Sequence, residues 1–473
     1  MSAIVTDKIK KLFIEDLFND FDSADVRYYA AIGRSEQWNE NDTTVVPTVS
    51  DRTERDARVN MQSMKNITDK SFVVPRSNWA TGAQYSPYDD ADAGYPLQPY
   101  YVMNSNQEVY ICLQQGRDAN GQPLNSTIQP TGNTNGTPFE TGDGYVWKFI
   151  YSIGALRASK FLSSSYMPVQ FVDSDEAASP DATAEQVEQR AVFNNAKPGQ
   201  IIGAEVTAGG SGYTSTPTVT VVGDGVGASL IPIISGNALV NLKVKPDSDG
   251  NTTGGDNNNI SYRGQNYKRA NVVITGGGGT SAAARIIIGP EKGLGSDPRV
   301  DLKSGACMFN AKIDGAEDGD FLLGNDTFRQ VMLIRNPLVR DSANREDTHF
   351  FKEATGNSLD RMTLTSVNGT LTEDVIVSAT SGTPVAKAYV DTVDSVSPNG
   401  VNARLLVHQT EETGFSSFDG LSITDPSGNT ADVNSYIRGE VDPLSGELLY
   451  IDNRAAVDRS AEQTEDLKIV IQL

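Results

Sequence analysis

The chain has 473 residues, with 61 Asp+Glu against 39 Lys+Arg, a net charge of −22 at pH 7 and 38% hydrophobic residues. A chain of this length accommodates two to four domains, and an acidic surface with no Lys/Arg-rich stripe repels a phosphate backbone, which argues against nucleic acid as a partner. Cys112 and Cys307 lie too far apart in sequence to suggest a disulfide framework, and no run of about 18 apolar residues offers membrane insertion.

In chain order, residues 4–21 place Ile4, Ile9, Leu12, Phe13, Leu17 and Phe21 at three- to five-residue steps, with Lys8, Lys10, Lys11 and Asp16 between them. This spacing predicts an amphipathic helix. Its mixture of charged and apolar residues fits neither a signal peptide nor a membrane anchor, so synthesis in a cytoplasm is expected. Strand-like text at 26–32 leads into the turn Gly33–Trp38. Residues 51–66, with Arg52, Glu54, Arg55, Asp56 and Arg58, read as a charged helix. A short strand covers 72–79, followed by a Tyr/Pro/Asp-rich loop over 80–99. A strand pair over 100–113 is broken at Asn104-Ser105-Asn106, 116–143 is a long loop, and 145–153 is a buried strand.

Composition shifts near 173, and 173–190 reads as a short helix or linker. The Gly-rich block beyond 198 holds a weak repeat. Tyr213 followed by Val219, Val221 and Gly223 recurs as Tyr267 followed by Val272, Ile274 and Gly276, and the two tyrosines are 54 positions apart. Two copies do not make a solenoid; they fit a duplicated β-hairpin module. A mobile loop is expected at 247–259. Strand-like text returns over 299–338, and the strands within 355–435 are spaced like those of a small barrel. The chain closes with strands at 448–451 and 467–473.

Chemistry-bearing patterns are sparse. The two histidines are His349, beside Asp347, Phe350 and Phe351, and His408, inside an apolar strand. Both read as packing or surface residues rather than proton carriers. No His-x-x-x-His or Cys-x-x-Cys spacing suggests zinc. Gly223–Gly227 and Gly276–Gly279 lack the Gly-Lys-Ser/Thr of a phosphate loop and read as turns. Asp247, Asp249 and Asn251 imitate a calcium loop but lack its glutamate. No catalytic, cofactor-binding or metal residue is therefore assigned, and no cofactor is expected. Trp38, Trp79 and Trp147 read as loop anchors, with exposed stacking platforms as the alternative.

The segments that carry these tryptophans resemble a known family. Gly33-Arg34-Ser35-Glu36-Gln37-Trp38, Val74-Pro75-Arg76-Ser77-Asn78-Trp79 and Gly142-Asp143-Gly144-Tyr145-Val146-Trp147 are similar to stretches of the baseplate wedge subunit of T-even-type phages, the gene product eight family. So are Phe328-Arg329-Gln330, Ile334-Arg335-Asn336-Pro337-Leu338, the end with Gly446-Glu447, Tyr450, Asn453-Arg454 and Gln463-Thr464-Glu465, and the opening Ala3-Ile4-Val5-Thr6. The resemblance covers about residues 1–172, 299–350 and 436–473.

It implies a mainly β fold with a β-sandwich core and a few short helices. The expected domains are the N-terminal part of the core at 1–172, a linker at 173–197, an inserted Gly-rich module at 198–298, a return of the core at 299–354, an inserted small β-barrel at 355–435 and C-terminal core strands at 436–473. It also implies a structural, non-enzymatic protein of a contractile phage tail, assembled in the host cytoplasm and resident in the virion. Its partners would be itself, as a homodimer, and other baseplate wedge proteins. Arg34 and Arg76 are candidates to pair with carboxylates. The alternative is a receptor- or glycan-binding tail protein, with the Gly/Tyr repeats as the binding face.

Overall fold

The computed structural model describes residues 7–38, 46–50, 53–91, 100–132, 134–172, 181–245, 262–313, 327–340, 346–382, 385–395, 403–411, 418–459 and 463–472. The fold is mainly β, with several sheets, one closed six-stranded barrel and a few helices. The chain forms two compact units. The first comprises residues 1–15, 71–308 and 470–473; the second comprises 16–70 and 309–469. The expected calcium-like loop and the segment 247–259 lie outside the described residues, as does the opening Ala3–Thr6.

In the first unit, a four-stranded sheet runs in the order Tyr101–Met103, Glu108–Gln114, Val146–Ser152, Phe139–Glu140. The break expected at Asn104 is a side-chain-closed turn. Asn104 Oδ1 accepts the backbone N–H groups of Asn106 at 2.9 Å and Glu108 at 3.0 Å. Tyr85, Val102, Tyr110, Cys112, Tyr145, Trp147 and Phe149 fill the core of this sheet. Val192 joins them from the helix Ala184–Asn194. That helix occupies much of the stretch 173–197, and Thr183 and Gln186 close a capping box at its start. A short helix, Ala155–Phe161, has no counterpart in the sequence reading.

The Gly-rich block builds its own core around Ile201, Leu230, Leu239, Leu242, Tyr267 and Ile286. Its two repeat copies interlock rather than fold separately. Ile201–Ser211 pairs with Thr280–Ile288, Thr218–Gly223 with Ala270–Thr275, and Val226–Ala228 with Arg263–Gln265. In each pair one strand comes from the first copy and one from the second. The registers are mutually related, since Val219 faces Ile274 and Val221 faces Val272. Each repeat tyrosine lies on glycines of the other copy. A Cβ on Gly279 would come within 2.4 Å of the Tyr213 ring, and one on Gly225 within 2.4 Å of the Tyr267 ring. Gly277 thus plays for Tyr213 the part that Gly223 plays for Tyr267, so the repeat aligns Gly223 with Gly277 rather than Gly276. The hairpin Leu230–Ser235/Ala238–Val244 turns at Gly236-Asn237, where φ is 57° and 62°, as a tight two-residue turn requires.

In the second unit, a five-stranded sheet runs in the order Thr355–Asn357, Met61–Asn66, Tyr28–Gly33, Thr327–Arg335, Glu447–Asp458. The helix expected over 51–66 is corrected here. Only Thr53–Val59 is helical, and Met61–Asn66 is a strand because it pairs with Tyr29–Gly33 and buries Met61 and Met64. Tertiary pairing overrides the local helical pattern.

The closed barrel joins Asp360–Asn368, Ala403–Glu411, Lys387–Ser395, Ile376–Ala379, Ser422–Thr424 and Thr430–Ile437 in that cyclic order. Met362, Leu364, Val377, Val390, Leu405, Val407, Phe418, Ile423 and Val433 fill it.

The first helix, Asp7–Phe21, forms as its periodicity predicts, but its orientation differs from the simplest reading. Ile14 is the residue it buries, whereas Ile9, Leu12 and Phe13 face outward.

Candidate functional site

Within each unit, family-like segments distant in sequence meet in space. In the second unit, Gly33 lies so close to the next strand that a Cβ would come within 2.5 Å of Asn60 O. Arg34 follows with φ 64°, a left-handed conformation that costs a non-glycine residue about 1–2 kcal/mol. Its side chain binds in return. Nη1 donates to Asp56 Oδ2 at 2.9 Å, Nη2 to Glu36 at 3.2 Å, and the guanidinium lies 4.3 Å from the centre of the Trp38 ring. Trp38 Nε1 donates to Arg454 O at 2.9 Å, and Arg329 donates to Ser35 O. Gln330 Nε2 reaches Asn453 Oδ1 at 3.0 Å, and Asn453 Nδ2 reaches Pro47 O at 3.0 Å.

A second knot joins 334–338 to 445–447. Arg335 Nη1 bonds Glu447 at 2.8 Å, Leu338 N donates to Ser445 Oγ at 2.8 Å, and Gly446 leaves no room for a Cβ against Pro337. Asn336, with φ 50°, is held by reciprocal bonds with the Arg27 backbone.

The first unit contains a third knot. Trp79 Nε1 donates to Ser126 Oγ at 3.1 Å, and Ser126 Oγ donates to Asp143 Oδ2 at 3.1 Å. Asp143 also accepts the backbone N–H groups of Thr127 at 2.8 Å and Ile128 at 3.0 Å, and the hydroxyl of Thr141. Burial would raise its pKa, but these hydrogen bonds to the charged form prevail and hold it below the usual value. Tyr145 Oη donates to Leu124 O at 2.7 Å, and its ring stacks on the fully buried Trp147. Arg34 thus finds carboxylates, whereas Arg76 donates to Asn78 Oδ1 and Ser163 O.

The barrel is tied into the same region of the second unit. Ser35 Oγ donates to Asp391 Oδ1 at 2.7 Å, and His408 Nδ1 lies 2.7 Å from Asp391 Oδ2, all three residues being buried. Burial disfavours the imidazolium, but the Asp391 charge and hydrogen bond outweigh it and raise the His408 pKa. A nucleophilic triad needs the histidine between serine and acid. Here the acid stands between them, which suits a clasp and differs from the triad order of serine, histidine and acid. Asp360, also buried, receives Arg340 at 3.1 Å, Arg438 at 2.9 Å, Gly439 N at 3.0 Å and the Tyr436 hydroxyl. No sequence signal pointed to either clasp, since their members lie on separate strands and loops. His349 is exposed on Glu346–Phe350.

Among the described residues no group of His, Cys, Asp or Glu is arranged to hold a metal, and no helix is long and apolar enough to cross a membrane. Cys112 and Cys307 are buried free thiols. Lys148 is enclosed with its pKa pushed down to about 8 by burial, and it donates to Gly136 O. The Gly223–Gly227 and Gly276–Gly279 turns pack beneath tyrosine rings.

Two clefts open on the first unit. One of about 520 Å³ lies between Gly154–Arg157, Gln170–Val172 and Thr183–Gln186. The other, of about 480 Å³, has Asp90, Lys268 and Glu291 on it, with Tyr88 and Tyr267 buried behind.

No protein-family model matches the chain, and no curated protein matches its sequence.

Proposed function

We propose that this chain is a structural subunit of a contractile phage tail, a baseplate wedge protein similar to the gene product eight family. It works through protein–protein contacts as a homodimer among other wedge proteins. It assembles in the host cytoplasm and stays in the virion. The observation that supports this reading is the convergence of the family-like segments. Residues as far apart as Trp38 and Arg454 bond to one another, and each meeting point fixes a loop rather than a reactive group. Loops ordered in advance lower the entropy lost on docking, as an assembly part requires.

The glycan-binding alternative draws no support from the middle module. Tyr213 and Tyr267 are buried on glycines there and offer no open ring to a sugar. The test is mass spectrometry of purified particles, followed by a cryo-electron-microscopy map of the tail. The reading requires this chain in stoichiometric amounts at the baseplate. Its absence from particles would overturn the reading.

A further inference from the structure

We propose that Arg438 is a recognition site for an oxyanion, taking two oxygens of a carboxylate or phosphate group on its guanidinium. The residue follows the last strand of the closed barrel, Thr430–Ile437, and its side chain is 7% exposed. Its Nη1 donates to Asp360 Oδ2 at 2.9 Å. Nε and Nη2 are buried and meet no acceptor among the described residues. In a planar guanidinium these two donors run parallel, and their spacing matches two oxygens of one anion. Buried polar groups are nearly always paired, and one oxyanion satisfies both donors at once.

Asp360 cannot turn to serve them. Its Oδ1 accepts Arg340 Nη1 at 3.1 Å and Gly439 N at 3.0 Å, and its Oδ2 accepts Arg438 Nη1 and the Tyr436 hydroxyl. These bonds use all of the roughly four acceptor positions of a carboxylate. Glu440, the acid nearest in sequence, is exposed, and its Oε2 accepts Asn357 N at 3.2 Å.

Charge selects an anion over water. Two guanidiniums, of Arg340 and Arg438, share the one Asp360 carboxylate, so the cluster keeps one positive charge in excess. Asp360 is 3% and Arg340 16% exposed, and an uncompensated charge at that depth is costly. A bound anion removes the excess, whereas a water molecule leaves it in place.

The donors are also held ready. The Arg438 guanidinium lies 5.0 Å from the centre of the Tyr436 ring, and Tyr436 Oη accepts Gln409 Nε2 at 3.1 Å. The next residue, Gly439, is packed so closely that a Cβ would come within 2.5 Å of Ser358 O. Donors ordered in advance lower the cost of binding. Ile437 is 47% exposed and Glu440 is exposed, so the site lies just beneath the surface of the second unit.

The test is hydrogen exchange by mass spectrometry on the full chain, with sodium phosphate or sodium acetate replacing sodium chloride at constant ionic strength. In wild type, peptides from 355–363 and 430–441 should exchange several-fold more slowly as either oxyanion rises, while peptides from the first unit stay unchanged. Arg438→Lys keeps the charge but loses the parallel donors. It should weaken the anion at least about ten-fold, the worth of one hydrogen bond to a charged group, with circular dichroism unchanged. A response to phosphate but not acetate assigns the site to free phosphate. A response to acetate at equal or lower concentration assigns it to a carboxylate, as on an acidic side chain or a chain terminus. Wild-type exchange that is the same in phosphate, acetate and chloride overturns the inference and needs no variant to fold. Slowing spread evenly over both units, or a local response that Arg438→Lys leaves intact, overturns it as well.

Discussion

Arg34 offers the sharpest test of the idea that the family-like segments are rigid joints, because its backbone and side chain pull in opposite directions. Its φ of 64° costs about 1–2 kcal/mol for any L side chain. The side chain offsets this with the Asp56 and Glu36 bonds and the stack on Trp38. The acids are about half exposed (43% and 51%), so the ion pairs contribute roughly 0.5–1 kcal/mol together. The cation–π contact adds about 0.5–1 kcal/mol.

Arg34→Ala loses both contributions and keeps the backbone strain, a loss of about 1–2 kcal/mol. Arg34→Gly loses the same contacts but relieves the strain, so its net change should be near zero. Glycine should therefore be the more stable of the two, the reverse of the usual order. The assay is hydrogen exchange by mass spectrometry in a urea series, read on peptides from 28–38 and 327–335. These report the second unit alone and avoid a two-state treatment of a two-unit chain. If the alanine variant equals or exceeds the glycine variant, or neither differs from wild type, the reasoning about this joint fails.

Three other perturbations have defined outcomes. Gly279→Ala, whose Cβ would sit 2.4 Å from the Tyr213 ring, should cost about 3 kcal/mol through overpacking. Gly276→Ala, with φ 75° and open space around it, should cost only about 1 kcal/mol, and urea unfolding compares the two. The clasp at His408 should respond to pH. Its pKa is raised in the fold, so the stabilisation is fully present below its ordinary value near 6.5 and is lost as pH rises through the folded value. Hydrogen exchange in 387–411 should quicken over that rise, and Asp391→Asn should flatten the dependence. Asp143 behaves in the opposite sense. Its lowered pKa means its contribution is present above its ordinary value and lost as pH falls through the folded one. Asp143→Ala should cost about 1–2 kcal/mol and deprotect the Thr127 and Ile128 amides in nuclear magnetic resonance exchange experiments.

Local signals were legible in the sequence where the chain settles matters within a few residues. The strand spacing of the barrel, the Asn104 turn and the first helix all follow from period and turn chemistry. Orientation and partnership were not legible. The stripe of Ile9, Leu12 and Phe13 reads as a buried face, yet the fold buries Ile14 and turns the stripe outward. Met61–Asn66 carries a helical pattern that sheet pairing cancels. The repeat of Tyr213 and Tyr267 was visible, but its reciprocal packing was not, because each tyrosine meets the glycines of the other copy. In the Ser35–Asp391–His408 clasp, Ser35 and Asp391 are 356 positions apart, and no spacing rule reaches that far.

Two of the nine described non-glycine residues in the left-handed region, Arg34 and Asn336, lie in the family-like segments. Arg34, Asn336 and Gly446 have positive φ, and each is fixed by hydrogen bonds or close backbone packing from a segment remote in sequence. Strain of this kind persists only when the surroundings over-determine it. What the bonds to Arg34 and Asn336 secure is the course of the loops that carry them. A loop held in advance gives up little entropy when a neighbour covers it, so a modest interface can be selective without new folding at the moment of contact. If the loops were instead shaped by their partners, the positive-φ residues would be free to relax in the isolated chain, and the bonds that hold Arg34 and Asn336 would have nothing to oppose.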